Sequence, residues 1–126
     1  MKTIQINTYD PQTKQTTKET IRINRAVGPF AIHRTPSWLG GVFSYLDTYS
    51  VAHASGAFAM PFRFDKMKEA VEFAEALREI GDDRWNGSED ELRSDAELMV
   101  FCAELGKRVV RVNGVHKFSR ASSANA

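Results

Sequence analysis

Residues 57–85, AFAMPFRFDKMKEAVEFAEALREIGDDRW, decide the fold of this chain. The first residues of the stretch predict a strand, and those after Asp65 predict an amphipathic helix. Apolar residues recur there every three or four positions, which is the spacing of one helical face. They are Met67, Ala70, Val71, Ala74 and Leu77, with Phe73 and Ile80 widening the stripe. The pattern predicts a helix over 65–80 that covers the apolar face of a sheet.

The ends of this helix have recognisable signals. Asp65 is the expected N-cap, because its carboxylate can accept from the backbone N–H groups of the first turn. Gly81 is expected to end the helix, because glycine readily takes the left-handed conformation of the position after the last turn.

Short strands are predicted before the helix, at 2–9, 19–24, 30–34, 48–53 and 57–64, from their alternation of apolar and polar residues. Ile4 and Ile6 mark the inward side of the first strand, and the first two strands predict a hairpin. Residues 35–41 (TPSWLGG) are expected to form a loop because of their proline and paired glycines. Residues 42–47 fit no single pattern. A tight turn at 55–56 is expected to join the last two strands.

Helical patterns dominate the residues after the first helix. Trp85 follows it in a short connection and is expected to fold back onto the core. Ser88 and Glu91 match the S-x-x-E capping box, which predicts a second helix over about 89–105. This helix is apolar on two sides, so it is buried either inside the domain or in a subunit interface.

The C-terminal segment has two interpretations. Residues 109–118 resemble a hairpin with Asn113 and Gly114 in its turn, although their apolar spacing also continues the preceding helix. The hairpin is the preferred interpretation. Residues 119–126 (SRASSANA) are small and polar and are expected to form a flexible tail.

The predicted fold is a single α+β domain over residues 1–118. A largely antiparallel N-terminal sheet of about five strands is covered by two C-terminal helices, which makes a two-layer sandwich. A chain of 126 residues can bury a core without a metal or disulfide. One cysteine, with no apolar leader and no long apolar run, predicts a cytoplasmic protein without a membrane segment.

Charge is distributed unevenly along the chain. Residues 1–64 carry seven basic and three acidic residues, a net charge of +4. Residues 65–104 carry five basic and thirteen acidic residues, a net charge of −8, and residues 105–126 carry five basic residues and no acidic ones. Such asymmetry bears on binding partners and not on the fold.

Catalytic and cofactor motifs are weak. His33, His53 and His116 are not spaced like metal ligands, and no glycine-rich phosphate loop is present. Cys102 has apolar neighbours, which make a thiol inert. A hydrolase or transferase site built from His53, Ser55 and Asp47 is a distant alternative. The sequence predicts a protein that is not an enzyme and that uses no cofactor or metal.

An acidic band follows from the sequence, with its residues on one face of the first predicted helix and in the segment after it: Glu69, Glu72, Glu75, Glu79, Asp82, Asp83, Glu89, Asp90 and Glu91. This band supports the preferred function, which is protein–protein contact with a basic surface on a larger partner. Some small inhibitors carried by phages and mobile elements act in this way, and an inhibitor or accessory protein of that kind is expected. The predicted binding residues are Trp38, Glu72, Glu75, Glu79, Asp82 and Asp83. Trp38 lies between a proline and two glycines, so it is equally suited to partner contact and to packing on a sheet edge.

The basic C-terminal segment supports the alternative function, a nucleic-acid-binding accessory factor. Its candidate residues are Lys107, Arg108, Arg111 and Lys117, whose charges could neutralise phosphates. The sequence pI of about 7.9 is lower than such modules usually have. A homodimer is compatible with every one of these functions, because a symmetry mate could cover the second helix or an open sheet edge.

Overall fold

The computed structural model describes residues 2–55 and 59–118 and contains seven strands and three α-helices in these ranges. The strands are β1 (Thr3–Asp10), β2 (Gln15–Arg22), β3 (Arg25–Val27), β4 (Phe30–Leu39), β5 (Val42–His53), β6 (Val110–Val112) and β7 (Val115–Lys117). The helices are α1 (Met67–Leu77), α2 (Glu89–Ser94) and α3 (Ala96–Gly106), and 3₁₀ turns span Arg78–Ile80 and Asp82–Trp85. The predicted α+β class is therefore confirmed.

The strands form three antiparallel sheets. The first pairs β1 with β2, the second has the order β3-β4-β5, and the third pairs β6 with β7. The five N-terminal strands are thus divided between two sheets, where the sequence suggested one.

The central sheet β3-β4-β5 is covered on both faces. Phe30, Ile32 and Val51 belong to the larger core, together with the buried residues of the helices. Ala31 and Ala52 alternate with them and belong to a smaller core with the isoleucines of the β1–β2 hairpin. The hairpin is therefore a third layer, because its alternating isoleucines need an apolar surface and the small alanines of the sheet provide one.

The predicted loop at 35–41 is wrong, because most of these residues continue β4. The turn is confined to Gly40 and Gly41, whose φ values of 60° and 78° suit a two-residue type I′ hairpin turn. Pro36 is accommodated where the pairing register between β4 and β5 shifts, between Arg34 and Pro36. Residues 42–47, which fit no pattern in the sequence, are the first half of β5.

Helix α1 begins later than predicted. Its N-cap is Lys66, which makes no side-chain capping bond. The predicted cap, Asp65, instead has a carboxylate oxygen 3.9 Å from Lys117 Nζ. The α-helix ends at Leu77, and the 3₁₀ turn that prolongs it ends at Gly81, which has φ 111° and ψ 130° and not the predicted left-handed helical conformation.

Of the strand predicted at 57–64, the described residues 59–64 form three isolated bridges, which are Tyr49 to Phe64, Ala52 to Ala59 and Phe64 to His116. Backbone bonds of 2.8 Å join Tyr49 and Phe64 in both directions. The predicted turn at 55–56 and the start of that strand fall partly on residues 56–58, which lie outside the described residues.

The predicted second helix is broken at Asp95. The Ser88–Glu91 capping box that starts α2 is confirmed by bonds in both directions. Asp95 has an extended backbone and caps α3, because its carboxylate accepts from the Leu98 N–H at 3.1 Å. Neither these helices nor α1 is long and apolar enough to cross a membrane, in the part of the chain that the structure describes.

Trp85 is folded back onto the core, as predicted, and is 1% exposed. Its Nε1–H donates to the Leu77 carbonyl at 3.0 Å, and its ring lies 4.8 Å from the Phe30 ring. Its own carbonyl accepts from His53 Nε2 at 2.8 Å. A single side chain and its backbone thus connect the end of α1 to both long strands of the central sheet.

The C-terminal hairpin is confirmed, and the interpretation of residues 109–118 as a continued helix is wrong. Asn113 and Gly114 have φ values of 51° and 82°, as a type I′ turn requires. The backbone N–H of His116 donates to the Arg63 carbonyl at 2.7 Å, which joins the hairpin to the segment before α1. The predicted flexible tail at 119–126 lies outside the described residues.

His33 is the most deeply buried titratable side chain in the described core, at 1% exposed. Its Nδ1–H donates to the Arg34 carbonyl at 2.8 Å, while its Nε2 is buried without a hydrogen-bond partner in the described part of the chain. Burial lowers the pKa of His33 below its usual value of 6.5. A protonated His33 would be a buried charge, so the fold favours the neutral ring.

This burial predicts that stability falls as the pH is lowered through the range below about 6.5. The unfolded chain takes up a proton on His33 at its usual pKa, whereas the folded chain takes it up only at a lower pH. His33 therefore does not lower the free energy of unfolding above its pKa in the unfolded chain. The free energy of unfolding falls as the pH is lowered from that pKa to the lower pKa of His33 in the folded chain. Urea unfolding of the wild type between about pH 7.5 and pH 5 should show this slope.

The control distinguishes the effect of His33 on the pH dependence of stability from that of the half-buried His116, whose pKa is also lowered. His33→Leu should flatten the pH dependence, while His116→Gln should keep most of it. A wild-type stability that does not change over this range, or an unchanged slope in His33→Leu, would contradict the prediction.

Candidate functional site

The outer side of α1 and the 3₁₀ turns after it form the acidic surface. It consists of Glu72, Glu75, Glu79, Asp82 and Asp83. Glu72 and Glu75 are half-buried, whereas Glu79, Asp82 and Asp83 are exposed. Glu75, Glu79 and Asp82 line one shallow groove with a single basic residue, Arg78. The structure thus brings together the acidic residues that the sequence singled out.

Arg78 organises the centre of the acidic surface. Its Nη2 and Nε donate to Asp82 at 2.8 Å and 3.0 Å, and its Nη1 donates to Glu75 at 3.2 Å. The hydrogen bond from Arg78 lowers the pKa of the Asp82 carboxyl, and the nearby positive charge adds to this effect. The two carboxylates are therefore fixed in position by a cation that lies between them.

The turn between β3 and β4 supports Arg78. Gly28 has a φ of 54°, and a Cβ placed there would overlap the Arg78 guanidinium. Glycine suits the left-handed backbone at this position, and a larger residue would displace the Arg78 side chain from where it lies. Sequence analysis missed this role, although the spacing of Glu75, Arg78 and Asp82 on a helical surface is a signal for such pairs.

Trp38 lies on β4, in the hairpin that joins β4 to β5, and it is half-buried. Its Nε1–H donates to Thr8 Oγ1 at 3.0 Å, and its ring lies 5.2 Å from the Phe43 ring. The packing interpretation therefore describes Trp38 better than the contact interpretation. The exposed apolar residues of this hairpin are its neighbours, Leu39 at 79% and Val42 at 64%.

The hairpin tip and the acidic surface lie at opposite ends of β4. Arg78 contacts the β3–β4 turn at Gly28, and Leu39 lies at the far end of the strand. Nine residue steps from Phe30 to Leu39 span roughly 30 Å at about 3.3 Å per residue. Trp38 and the acidic residues therefore do not form one compact site.

The four basic residues predicted in the C-terminal segment have different surroundings. Lys107 pairs with Glu104 at 2.9 Å, and Lys117 lies 3.9 Å from Asp65. The Arg108 guanidinium lies over the Phe118 ring, 5.2 Å from its centre. Arg111 is exposed on β6, directly opposite His116 on β7.

Arg63 joins this group, although sequence analysis did not include it. Its backbone N–H donates to His116 Nδ1 at 3.0 Å, and its Nη2 donates to the Gly114 carbonyl at 3.3 Å. Burial lowers the pKa of His116, and the positive charges of Arg111 and Arg63 lower it further. No local pattern signals this contact, because the two segments are 53 residues apart.

The structure brings together two residues of the hydrolase alternative and separates the third. His53 Nδ1 lies 2.7 Å from Ser55 Oγ. The other ring nitrogen donates to the Trp85 carbonyl, while Asp47 pairs with Arg34 at 2.6 Å. Six residues of β5 separate His53 from Asp47, roughly 20 Å at about 3.3 Å per residue. A Ser-His-Asp triad is therefore not assembled.

A polar cleft of about 320 Å³ opens beside Ser55. It lies between the outer face of the β1–β2 hairpin and the residues that lead into α2, and it is lined by Gln5, Asn7, Lys18, Ser55, Gly87, Ser88 and Glu89. Metal-binding clusters of three or more His, Cys, Asp or Glu side chains are absent from residues 2–55 and 59–118.

Cys102 lies half-buried on α3, next to a small apolar pocket of about 120 Å³ that is also lined by Met60 and Met99. Burial raises the pKa of the Cys102 thiol to about 11. The thiolate is the reactive form, and at pH 8 about 0.1% of such a thiol is ionised. These surroundings do not suit a nucleophile.

We therefore predict that Cys102 reacts slowly with a thiol reagent such as dithionitrobenzoate. At about pH 8 the native protein should react roughly a hundredfold more slowly than the protein unfolded in urea, in proportion to the smaller thiolate fraction. Absorbance of the released thiolate measures both rates, and a native rate equal to the unfolded rate would contradict the prediction.

Comparisons with known proteins return no relatives: no family model, no curated protein and no solved structure matches this chain.

Proposed function

We propose that this protein binds a larger protein that carries a basic surface, and that the acidic surface makes the contact. The observation that carries the proposal is the groove of Glu75, Glu79 and Asp82 around Arg78. Five carboxylates and one guanidinium give the acidic surface a net charge of −4. Such a surface attracts a basic partner and speeds the encounter between the two.

Pre-organisation is the second argument for this surface. Arg78 holds Glu75 and Asp82 in place, and Gly28 provides the space in which Arg78 lies. Side chains that are already ordered lose less conformational entropy on binding. Glu79 and Asp83 are exposed and add two negative charges beside Glu75 and Asp82.

The tip of the β4–β5 hairpin is a second contact region in this proposal. Leu39 and Val42 are exposed there on one face of the hairpin, and Tyr45 is exposed on the other face, beside the ring of Phe43. An exposed apolar pair at a hairpin tip, here Leu39 with Val42, is suited to contact with another protein. Because the tip lies roughly 30 Å from the acidic surface at about 3.3 Å per residue, only a partner with a large interface could touch both.

We predict that Glu72→Lys, Glu75→Lys and Glu79→Lys, combined in one variant, weaken partner binding at least tenfold. The reversal makes the surface repel a basic partner and removes its electrostatic steering. The experiment is affinity capture from a lysate of the source cell with the tagged protein as bait, quantified by mass spectrometry. Binding rates of the captured partner are then measured at low and physiological salt.

The matched control combines Asp90→Lys, Glu97→Lys and Glu104→Lys. It reverses the same number of charges on exposed positions of α2 and α3. This variant should retain the partner, and circular dichroism should show that both variants are folded. Equal capture by the wild type and by the Glu72/Glu75/Glu79 variant would contradict the proposal.

A further inference from the structure

Two arginines place positive charge beside His116 of the C-terminal hairpin, and neither is paired with a carboxylate in the described part of the chain. Arg111 on β6 is the direct cross-strand neighbour of His116 on β7. Arg63 lies on the other side of His116, to which its backbone is bonded at 3.0 Å and 2.7 Å. In the described part of the chain, no ion pair includes Arg63 or Arg111.

This arrangement costs stability in the isolated protein. The two arginines both place positive charge near His116 and therefore repel each other, and the nearby carboxylate of Asp65 pairs with Lys117 and with neither arginine in the described residues. Two arginines and a histidine on one small surface are, however, the donors that a phosphate group prefers. A bound anion would convert the repulsion into attraction.

His116 is held in the form that donates to an anion. Its Nδ1 accepts the Arg63 backbone N–H, so in the neutral ring the proton is on Nε2. The Phe62 ring stands edge-on to the imidazole, with 5.2 Å between the ring centres, and restrains its orientation. The half-buried Nε2–H and the two guanidinium groups are therefore suitable donors for phosphate oxygens.

We propose that Arg63, Arg111 and His116 form a phosphate-binding site for the backbone of a nucleic-acid strand. A strand fits better than a free phosphate, because it presents several phosphates in a row and further basic residues flank the site along the chain. Lys107 and Arg108 precede β6, and Lys117 ends β7. This proposal adds Arg63 and His116 to the basic residues that the sequence suggested, and it does not depend on the acidic surface.

The test is fluorescence anisotropy of a labelled mixed-sequence single-stranded DNA, repeated with RNA, against the full chain. Arg63→Gln with Arg111→Gln removes two cations from the site. Each cation contributes about 0.7 to the slope of log affinity against log salt on a single strand. The double variant should therefore bind about 60-fold more weakly at about 50 mM salt, and its slope should be about 1.4 smaller.

Two further variants keep the result interpretable. Arg111→Gln alone leaves the Arg63–Gly114 bond intact, so it should fold normally and should bind about 8-fold more weakly at about 50 mM salt. Arg22→Gln with Arg25→Gln removes two exposed charges from β2 and β3 and should bind like the wild type. An equal loss of affinity in the two double variants would overturn the proposal, because binding would then depend on the total charge of the protein and not on this site.

Nuclear magnetic resonance of the imidazole protons distinguishes a strand from a free phosphate. Addition of the DNA strand should shift the His116 signals, while those of the buried His33 and His53 serve as internal references. A shift with inorganic phosphate alone, without detectable binding of DNA or RNA, would overturn the assignment to a strand. Absence of any shift and of any binding at low salt would overturn the site itself.

Discussion

The burial of Trp85 is the constraint on which most of this structure depends. Its indole bonds to the last carbonyl of α1, packs against Phe30, and its backbone accepts from His53. These contacts fix where α1 ends, how the chain returns to the sheet, and where the second helical region begins. Burial of an aromatic side chain whose polar atom is satisfied is strongly stabilising, so one residue can determine all three.

The two charged surfaces follow from this arrangement. Because Trp85 holds the 3₁₀ turn against the core, Asp82 remains beside Arg78 and continues the acidic side of α1. The basic hairpin is anchored to the same core, because Phe118 packs against Phe73 of α1 and Phe64 packs against the same ring. Opposite charges are therefore carried by separate elements, the acidic surface by α1 and the 3₁₀ turns and the basic residues by the C-terminal hairpin and the segments that flank it.

The elements that the sequence predicted correctly are those that depend on residues close to one another in the chain. The two hairpins at the ends of the chain, the capping box at Ser88 and the inward position of Trp85 depend on residues close in sequence. The loop predicted at 35–41 is wrong because proline and glycine are compatible with a strand and a tight turn as well as with a loop, and the structure confines the turn to two glycines. Asp95 broke the second helix because its capping bond competes with helix continuation, which apolar spacing does not reveal.

The features that the sequence did not predict depend on contacts between residues far apart in the chain. The third layer formed by the β1–β2 hairpin depends on which face of the sheet its isoleucines meet, and Arg63 meets His116 across 53 residues. The acidic residues could be found from composition, since they are neighbours on one helix. Their ion pairs with Arg78 have a signal in the i, i+3 and i, i+4 spacing, whereas the contact of Arg78 with Gly28 on a distant turn has none.

The most direct test of this account is the environment of Trp85, measured by fluorescence in a Trp38→Phe variant so that Trp85 is the one remaining indole. A buried Trp85 predicts blue-shifted emission and weak quenching by acrylamide. It also predicts that urea unfolding followed by Trp85 fluorescence coincides with unfolding followed by circular dichroism, because Trp85 joins the helical and sheet parts of the core. Emission typical of water with strong quenching, or a Trp85 transition that precedes the loss of secondary structure, would contradict the account.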